Sequence, residues 1–479
     1  MCPIQNRPGR KTTRLLIIAS TIMLTAANAS VQPIFAGDAV GWRCNGNGKF
    51  EASSPPVRWS AEEGIVWKSQ LPATSLASPV VAADCAFAMA EPDRLLCFRI
   101  SDGELLWERR HEYEAIFTPE KVAQIRQQHA ESQKVRQEIA ELEKQLKTQQ
   151  DADPDSAEIP SLQERIRDLQ RRDEELTVIP PVQVDATENT ASTPVCDLKN
   201  VYTVLANGII SSHQMDGQPN WIRFVGKPMP RHSASPLIVG NLLIVHLQQL
   251  LALDVVSGEV VWSSDVAPRN GTPVMLQVGE HAVIVTPAGD IVSAEDGEVL
   301  AKDLFDLAYC SPTVHEEVVY AAERGRFVAI RLSPGDEKNR IQTTVLWETR
   351  GAEEDRLASP VVHEGHLFSA TGTGILDIVD VATGKVIKRK RMQLGEGRVD
   401  ASLSLADGLL YIQSTSGATV VLKPSPDCPE VARNKAEGSS SSPFFVDERL
   451  LFRTPTHLIC VAAQEASEKD DATDTANKE

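Results

Sequence analysis

Aromatic residues are scarce in this chain: 5% of 479 positions, with five tyrosines. A broad stacking surface for sugar chains or other flat ligands is therefore not expected. The motifs of common catalysis are missing too. There is no G-x-S-x-G, no H-E-x-x-H, no phosphate loop and no G-x-G-x-x-G after a strand; Gly372-Thr373-Gly374 reads as a hairpin turn. No C-x-x-C occurs, which argues against a structural zinc. Basic excess is absent: 48 Lys and Arg face 66 Asp and Glu, a net charge of −18. Nucleic acid and anionic membrane surfaces both need basic patches, so neither is expected as a partner.

Long apolar runs are confined to the N-terminus. Arg7, Arg10, Lys11 and Arg14 precede the apolar stretch Leu15 to Leu24, and Ala27-Asn28-Ala29 supplies a small-residue cleavage site. This is the pattern of a secretion signal over 1–29, too short for a transmembrane anchor. Cys2 lies ahead of the apolar stretch and no lipid-attachment box follows, so no membrane anchor is expected. The mature protein is expected to be periplasmic or extracellular, beginning with an extension over 30–58. Cys2 leaves with the signal, and seven cysteines remain. They read as buried small apolar residues, with Cys85–Cys97 and Cys428–Cys460 the pairs to test for a disulfide. The acidic segment 464–479 lacks apolar periodicity and reads as disordered.

What the sequence does have is a repeat. A Ser/Thr-Pro-apolar element recurs at Ser78-Pro79, Thr193-Pro194, Ser235-Pro236, Thr272-Pro273, Ser311-Pro312, Ser359-Pro360 and Ser442-Pro443. Ala401-Ser402-Leu403-Ser404 fills an eighth slot without the proline. The regular steps run from 37 to 48 residues, the spacing of four-stranded propeller blades. The step from Pro79 to Pro194 is longer by about 70 residues. Each unit reads as four short strands, clearest at Ala252-Leu253-Asp254-Val255-Val256-Ser257-Gly258-Glu259-Val260-Val261-Trp262. There the glycine allows a positive φ in the last hairpin, and the tryptophan is expected to end the fourth strand and lie between blades. Trp107, Trp221 and Trp347 end related units. The eighth unit stops after three strands, at Ala462. The orphan Gly64-Ile65-Val66-Trp67 has the missing fourth-strand pattern. Pairing these ends would remove the open sheet edges. The expected fold is all-β: an eight-bladed propeller over 59–113 and 180–463, with Trp67, Trp107, Trp221, Trp262 and Trp347 as blade-docking residues.

The long step carries helical signals. Thr118-Pro119-Glu120 is a helix start. Heptad spacing follows at Ile125, Ser132, Ile139 and Leu146, with Gln128, Val135, Leu142 and Gln149 as the second seam. Asp151 to Asp155 breaks the helix, and a second carries Leu162, Ile166, Leu169 and Leu176 before Pro180-Pro181. An antiparallel coiled-coil hairpin over 114–179 is expected, its first helix about 48 Å long. Ser132, Gln128, Gln149 and Asp173 interrupt the seam. The insert is expected to project from the face carrying the blade-to-blade connections.

The unit from Ala252 to Trp262, with its Ser-Pro-Val-Val starts, resembles the tryptophan-docking repeat of pyrroloquinoline-quinone-type propellers. That superfamily includes quinoprotein alcohol dehydrogenases and the non-enzymatic propeller of the outer-membrane β-barrel assembly machinery. The resemblance covers Trp59 to Ala463 apart from the insert. It implies the fold, and by analogy a protein-binding or scaffold module in cell-envelope assembly. Other envelope proteins would be the partners, met through the hairpin or a propeller face. The alternative it implies is a quinone- and calcium-dependent dehydrogenase. Such enzymes typically carry adjacent cysteines, and this chain has none. No catalytic, metal or cofactor-binding residue is expected, and a small-ligand or polysaccharide propeller is the third reading. Four polar features stand out from the blade pattern. His232, ahead of Ser235-Pro236, is placed to face the channel. His363 and His366 flank a turn. Arg324 and Arg326 flank another, and Lys388 to Arg391 lie on an outer strand, where charges protect an edge.

Overall fold

Glycine turns and β-branched runs in every repeat leave the chain only short strands to form, and each repeat becomes one antiparallel sheet. The computed structural model describes residues 39–179, 191–205, 207–227, 232–336 and 340–463. The leader over 1–29, the start of the extension and the acidic tail over 464–479 lie outside the described residues.

There are eight blades. The inner strands are Val80–Ala82, Val195–Cys196, Leu237–Val239, Val274–Val278, Thr313–His315, Val361–His363, Ser404–Ala406 and Phe444–Val446. Each starts at or within two residues of its Ser/Thr element. Three further strands follow outward in every blade. The outer strand of the eighth blade is Ile65–Gln70, paired antiparallel with His457–Ala462 and placing Trp67 opposite Cys460. The ring therefore closes with strands from both ends of the chain, and a sheet edge is removed.

The tryptophans do not end their strands, as the sequence suggested. Trp262 lies within Val260–Ser264 and Trp107 within Leu105–Arg110. A register shift precedes each, as between Val260, opposite Leu253, and Trp262, opposite Ala252. All eight outer strands carry this bulge. A bulge lets two successive residues face outward before the strand resumes alternation. Val260 and Val261 are accordingly exposed while Trp262 is buried.

Two packed helices form the insert, α1 (Pro119–Ala152) and α2 (Glu158–Leu176). Thr118 caps α1 by accepting from the Lys121 amide, with proline in the first turn. Val122 and Ile125 join the core beneath blades one and two, so the first turns of α1 rest on the propeller. Farther out, Val135, Leu169 and Leu176 pack together with Ile139 and Leu142. Two residues that interrupt the heptads meet: Ser132 donates to Asp173, which also pairs with Arg136 at 3.0 Å. Glu131–Arg172 (2.7 Å) and Glu138–Arg165 (2.9 Å) set the antiparallel register.

The seven cysteines from Cys44 to Cys460 are all free thiols. Cys85 and Cys97 lie on neighbouring strands, Cys85 opposite Arg99 and Cys97 opposite Phe87. Cys428 lies in the last turn of blade seven and Cys460 in the third strand of blade eight. No helix of the described residues is long and apolar enough to cross a membrane.

Candidate functional site

The Ser/Thr element builds the axis of the molecule. The Ser78 amide donates to Thr193 Oγ1 at 3.0 Å, Thr193 to Ser235, and Ser235 to Thr272. Thr272 donates to Ser311, Ser311 to Ser359, Ser359 to Ser402, and Ser402 to Ser442. Ser442 then donates to Ser78 Oγ at 3.0 Å and closes the circle. Each blade thus holds the next through one backbone-to-hydroxyl bond. The proline that follows has no N–H and leaves no orphan donor at the crowded axis. Blade seven lacks the proline, and there the extra amide of Leu403 is satisfied by the Ser359 carbonyl at 3.2 Å.

One end of the axis is plugged. Val40 bridges to Cys196 at the end of blade two's inner strand, and Lys49–Phe50 pairs parallel with Leu405 and Ala406 in blade seven. Between these anchors Trp42 and Arg43 enter the channel. Arg43 is 2% exposed. Its Nη2 donates to the carbonyls of Pro360 (2.7 Å) and Leu403 (3.0 Å). Gly48 presses on the guanidinium; a Cβ there would sit 2.8 Å from Cζ.

The other end is open. A cup of about 410 Å³ lies where outer strands pass to the next inner strands. Trp42 lines it, with six of the eight circle residues in its wall and Leu76, Tyr309, Asn270 and Asp400 around it. Asp400 pairs with Arg398 at 3.4 Å and accepts from Ser440. Leu76 and Tyr309 are about half exposed. A second cavity of about 510 Å³ opens on the same face between the connections of blades five to seven, lined by Arg324, Glu353, Glu354, Asp355, Thr373 and Arg398. The helical hairpin is rooted there too. Tyr113 donates to the Asn207 carbonyl, and the Asn207 amide group donates to the His111 carbonyl. Cup, side cavity and hairpin thus share the connection face.

The five tryptophans occupy equivalent places. Trp67, Trp107, Trp221, Trp262 and Trp347 donate Nε1–H to the carbonyls of Ile100, Met215, Val255, Ala294 and Val381, each in the next blade, at 2.8–3.1 Å. The turn glycine of that next blade lies on the indole. A Cβ on Gly258 would meet the Trp221 ring at 2.5 Å, and its φ is +70°. The glycine therefore serves both the turn and the neighbour's ring. The repeat pattern contains this pairing, but the contact runs between units and reading one unit does not expose it.

The polar candidates scatter. His232 is fully buried and does not line the cup; its neighbour Ser233 does. Burial holds the His232 imidazole down to about 4, with His246 nearby adding to the shift. His363 and His366 stay apart from the cup, flanking the turn at Glu364-Gly365. Arg324 pairs with Asp355 and Arg326 with Glu323, so neither makes a free basic spot. On the outer strand, Lys388 pairs with Asp427 of the next blade, Lys390 donates to the Cys428 carbonyl, and Arg389 pairs with the buried Asp377. These charges tie strands and blades as well as marking an edge.

The cup's donor set does not fit a quinone–calcium pair. Asp400 is its one carboxylate, already paired with Arg398. Among the described residues no three His, Cys, Asp or Glu side chains converge as a metal site would require.

Comparison with known proteins bears on the blades. A family model described as outer membrane protein assembly factor BamB matches residues 307–427, spanning blades five and six and most of seven. The outer membrane protein assembly factor BamB of Alkalilimnicola ehrlichii is 28% identical over 206 residues, 40% of this chain and 51% of that protein. The chain thus spans about half the length of this curated relative. Among solved structures, BamB from Moraxella catarrhalis aligns with 56% of this chain and 80% of its own at 14% identity and a TM-score of 0.44. The computationally designed Ika8 protein aligns with 83% of this chain and 99% of its own at 9% identity and a TM-score of 0.44. With its docking repeat written into eight closed blades, the chain is an eight-bladed β-propeller, and its blades five to seven are similar to the outer membrane protein assembly factor BamB family.

Proposed function

We propose that this protein is an exported, non-catalytic scaffold that binds other envelope proteins through its connection face, in the assembly of cell-envelope proteins. The observation that carries the reading is the convergence on that face of the cup, the side cavity and the rooted helical hairpin. The half-exposed Leu76 and Tyr309 at the cup rim offer apolar contact within a polar surround, the usual anatomy of a recognition patch. The name carried by the matching family supports the envelope setting, and the leader pattern over 1–29 supports export to the periplasm or beyond. On this reading the propeller spans 59–113 and 180–463, the hairpin over 114–179 is a partner-binding arm, and the five tryptophans dock the blades.

The test is capture from envelope extract with the full mature chain, a form lacking 118–177, and a Leu76→Asp/Tyr309→Asp double variant. A defined envelope protein retained by the full chain and lost from one altered form is the expected result. Equal capture by all three, or none by the full chain, would overturn the reading.

A further inference from the structure

The cup at the axis is a hydroxyl-lined hollow. Ser78, Thr272, Ser311, Ser359, Ser402 and Ser442 stand in its wall. A serine or threonine hydroxyl carries one O–H donor and two acceptor lone pairs. In each of these six, one lone pair takes the amide of the preceding blade. Among the described residues none of the six donates its O–H to a protein acceptor. Each therefore keeps a donor and an acceptor for whatever fills the cup.

The rest of the lining sorts the possible ligands. No Lys, Arg or His side chain lines the cup. An anion entering it would lose water without gaining a counter-charge, and it would meet Asp400. A cation would find that same carboxylate already held by Arg398 at 3.4 Å and by Ser440. What suits the wall is a neutral ligand that both donates and accepts. Apolar surface is present as well. Trp42 and Leu357 line the cup, and Leu76 and Tyr309 stand about half exposed at its rim. Aromatic faces of this kind cover the apolar C–H surface of a ligand. The volume of about 410 Å³ falls in the range of small-molecule sites, ~300–1,000 Å³. No aromatic platform continues beyond it, since the side cavity is lined by Arg324, Glu353, Glu354, Asp355 and Arg398. The site is therefore one ring long.

We infer that the cup binds one neutral sugar ring, or a cyclic polyol of that size. The ligand's hydroxyls exchange hydrogen bonds with the Ser/Thr circle, and its C–H face lies against Trp42. The six circle residues come from six blades, so a bound ring bridges them and stabilises the closed propeller. This site goes beyond the scaffold reading and does not depend on it.

The probes are glucose, galactose, mannose, N-acetylglucosamine and myo-inositol, each offered to the full mature chain with no partner present. Binding is read by saturation-transfer NMR, calorimetry and melting temperature. Glucuronate and glucosamine serve as charged comparators. Saturable binding of at least one neutral probe near one per chain is expected, with a rise in melting temperature and at least tenfold weaker binding of the charged relatives. Trp42→Leu should weaken binding at least tenfold while circular dichroism keeps the β signature. If that variant does not fold, Tyr309→Ala at the rim replaces it and should weaken binding several-fold. No saturable binding of any neutral probe, charged relatives that bind as well, or an undiminished response in whichever variant folds overturns the inference. A cup that only receives a partner's side chain gives the first of these results, and that result leaves the capture experiment untouched.

Discussion

Seven of the eight joints between blades are of two kinds; at the joint of blades seven and eight Tyr411 packs between Trp59 and Phe445. At five of them an indole from one blade lies on the turn glycine of the next, with its N–H bonded to that blade's backbone. At the joint of blades four and five there is no tryptophan. Instead Arg340, from the long hairpin of blade five, reaches back to Asp296 (2.6 Å) and Ser293 (2.9 Å). Between blades six and seven, Lys388 meets Asp427 at 3.0 Å. The indole joints bury a large apolar side chain and satisfy its one polar atom. At the other two joints the rim carries solvent-exposed charge pairs, which contribute little in water, and the blades are held there by buried apolar clusters that span blades four and five and blades six and seven. Adhesion at the outer rim is thus unevenly distributed around one ring, although the hydroxyl circle runs through every blade. The blades that match the assembly-factor family include both kinds of joint.

Several substitutions bear on this contrast. The largest effect is expected from Trp262→Ala, which should cost about 3–5 kcal/mol in chemical denaturation, as a deleted buried aromatic does. An effect no larger than that of Arg340→Ala would erase the distinction. Acid should act next. Burial, with the charge of His111 adding, holds His213 down to about 3, and it stacks beside Trp107 at an indole joint. Burial likewise holds His246 down to about 4. These imidazoles stay neutral in the folded protein, while the unfolded chain takes up protons below about pH 6.5. Stability is therefore full above 6.5 and falls as pH drops toward 4, by about 2 kcal/mol per histidine at pH 5. The acid slopes of stability against pH for the wild type and His213→Gln should differ by one proton, the wild type being the steeper; equal slopes would contradict the account. Third, Gly258→Ala and Trp221→Ala should not add. The double variant should recover about 1–2 kcal/mol against the sum, because the methyl and the ring compete for one space. The smallest effect belongs to Arg340→Ala, below about 1 kcal/mol and fading further in high salt.

Much of this was open to reading in the chain itself. The Ser/Thr-Pro repeat counted eight blades, and the complementary ends at Ile65 and Ala462 foretold the closing strand. Ser402 took the eighth slot despite its missing proline, and Leu403 finds an acceptor for the amide that proline would lack. What stayed hidden are relations between units. A hydroxyl that accepts from the preceding blade looks, in one repeat, like an ordinary strand start. The bulge before each tryptophan leaves no composition signal, since valine pairs such as Val260-Val261 read equally well as plain strand. The plug was hidden for another reason. Residues 39–50 have no periodicity, and Arg43 acquires its meaning only when Pro360 and Leu403, more than 300 residues away, are placed beside it.

The central claim is that partners are met on the connection face. It is tested most directly by placing a photo-crosslinking residue in turn at Leu76, Tyr309 and Glu141 of the hairpin, and at Glu317 and Asp407 in turns of the opposite face. Irradiation in intact cells should give discrete adducts with one envelope protein from the first group and none from the second. Adducts confined to Glu317 and Asp407, or equal from both faces, would contradict the account.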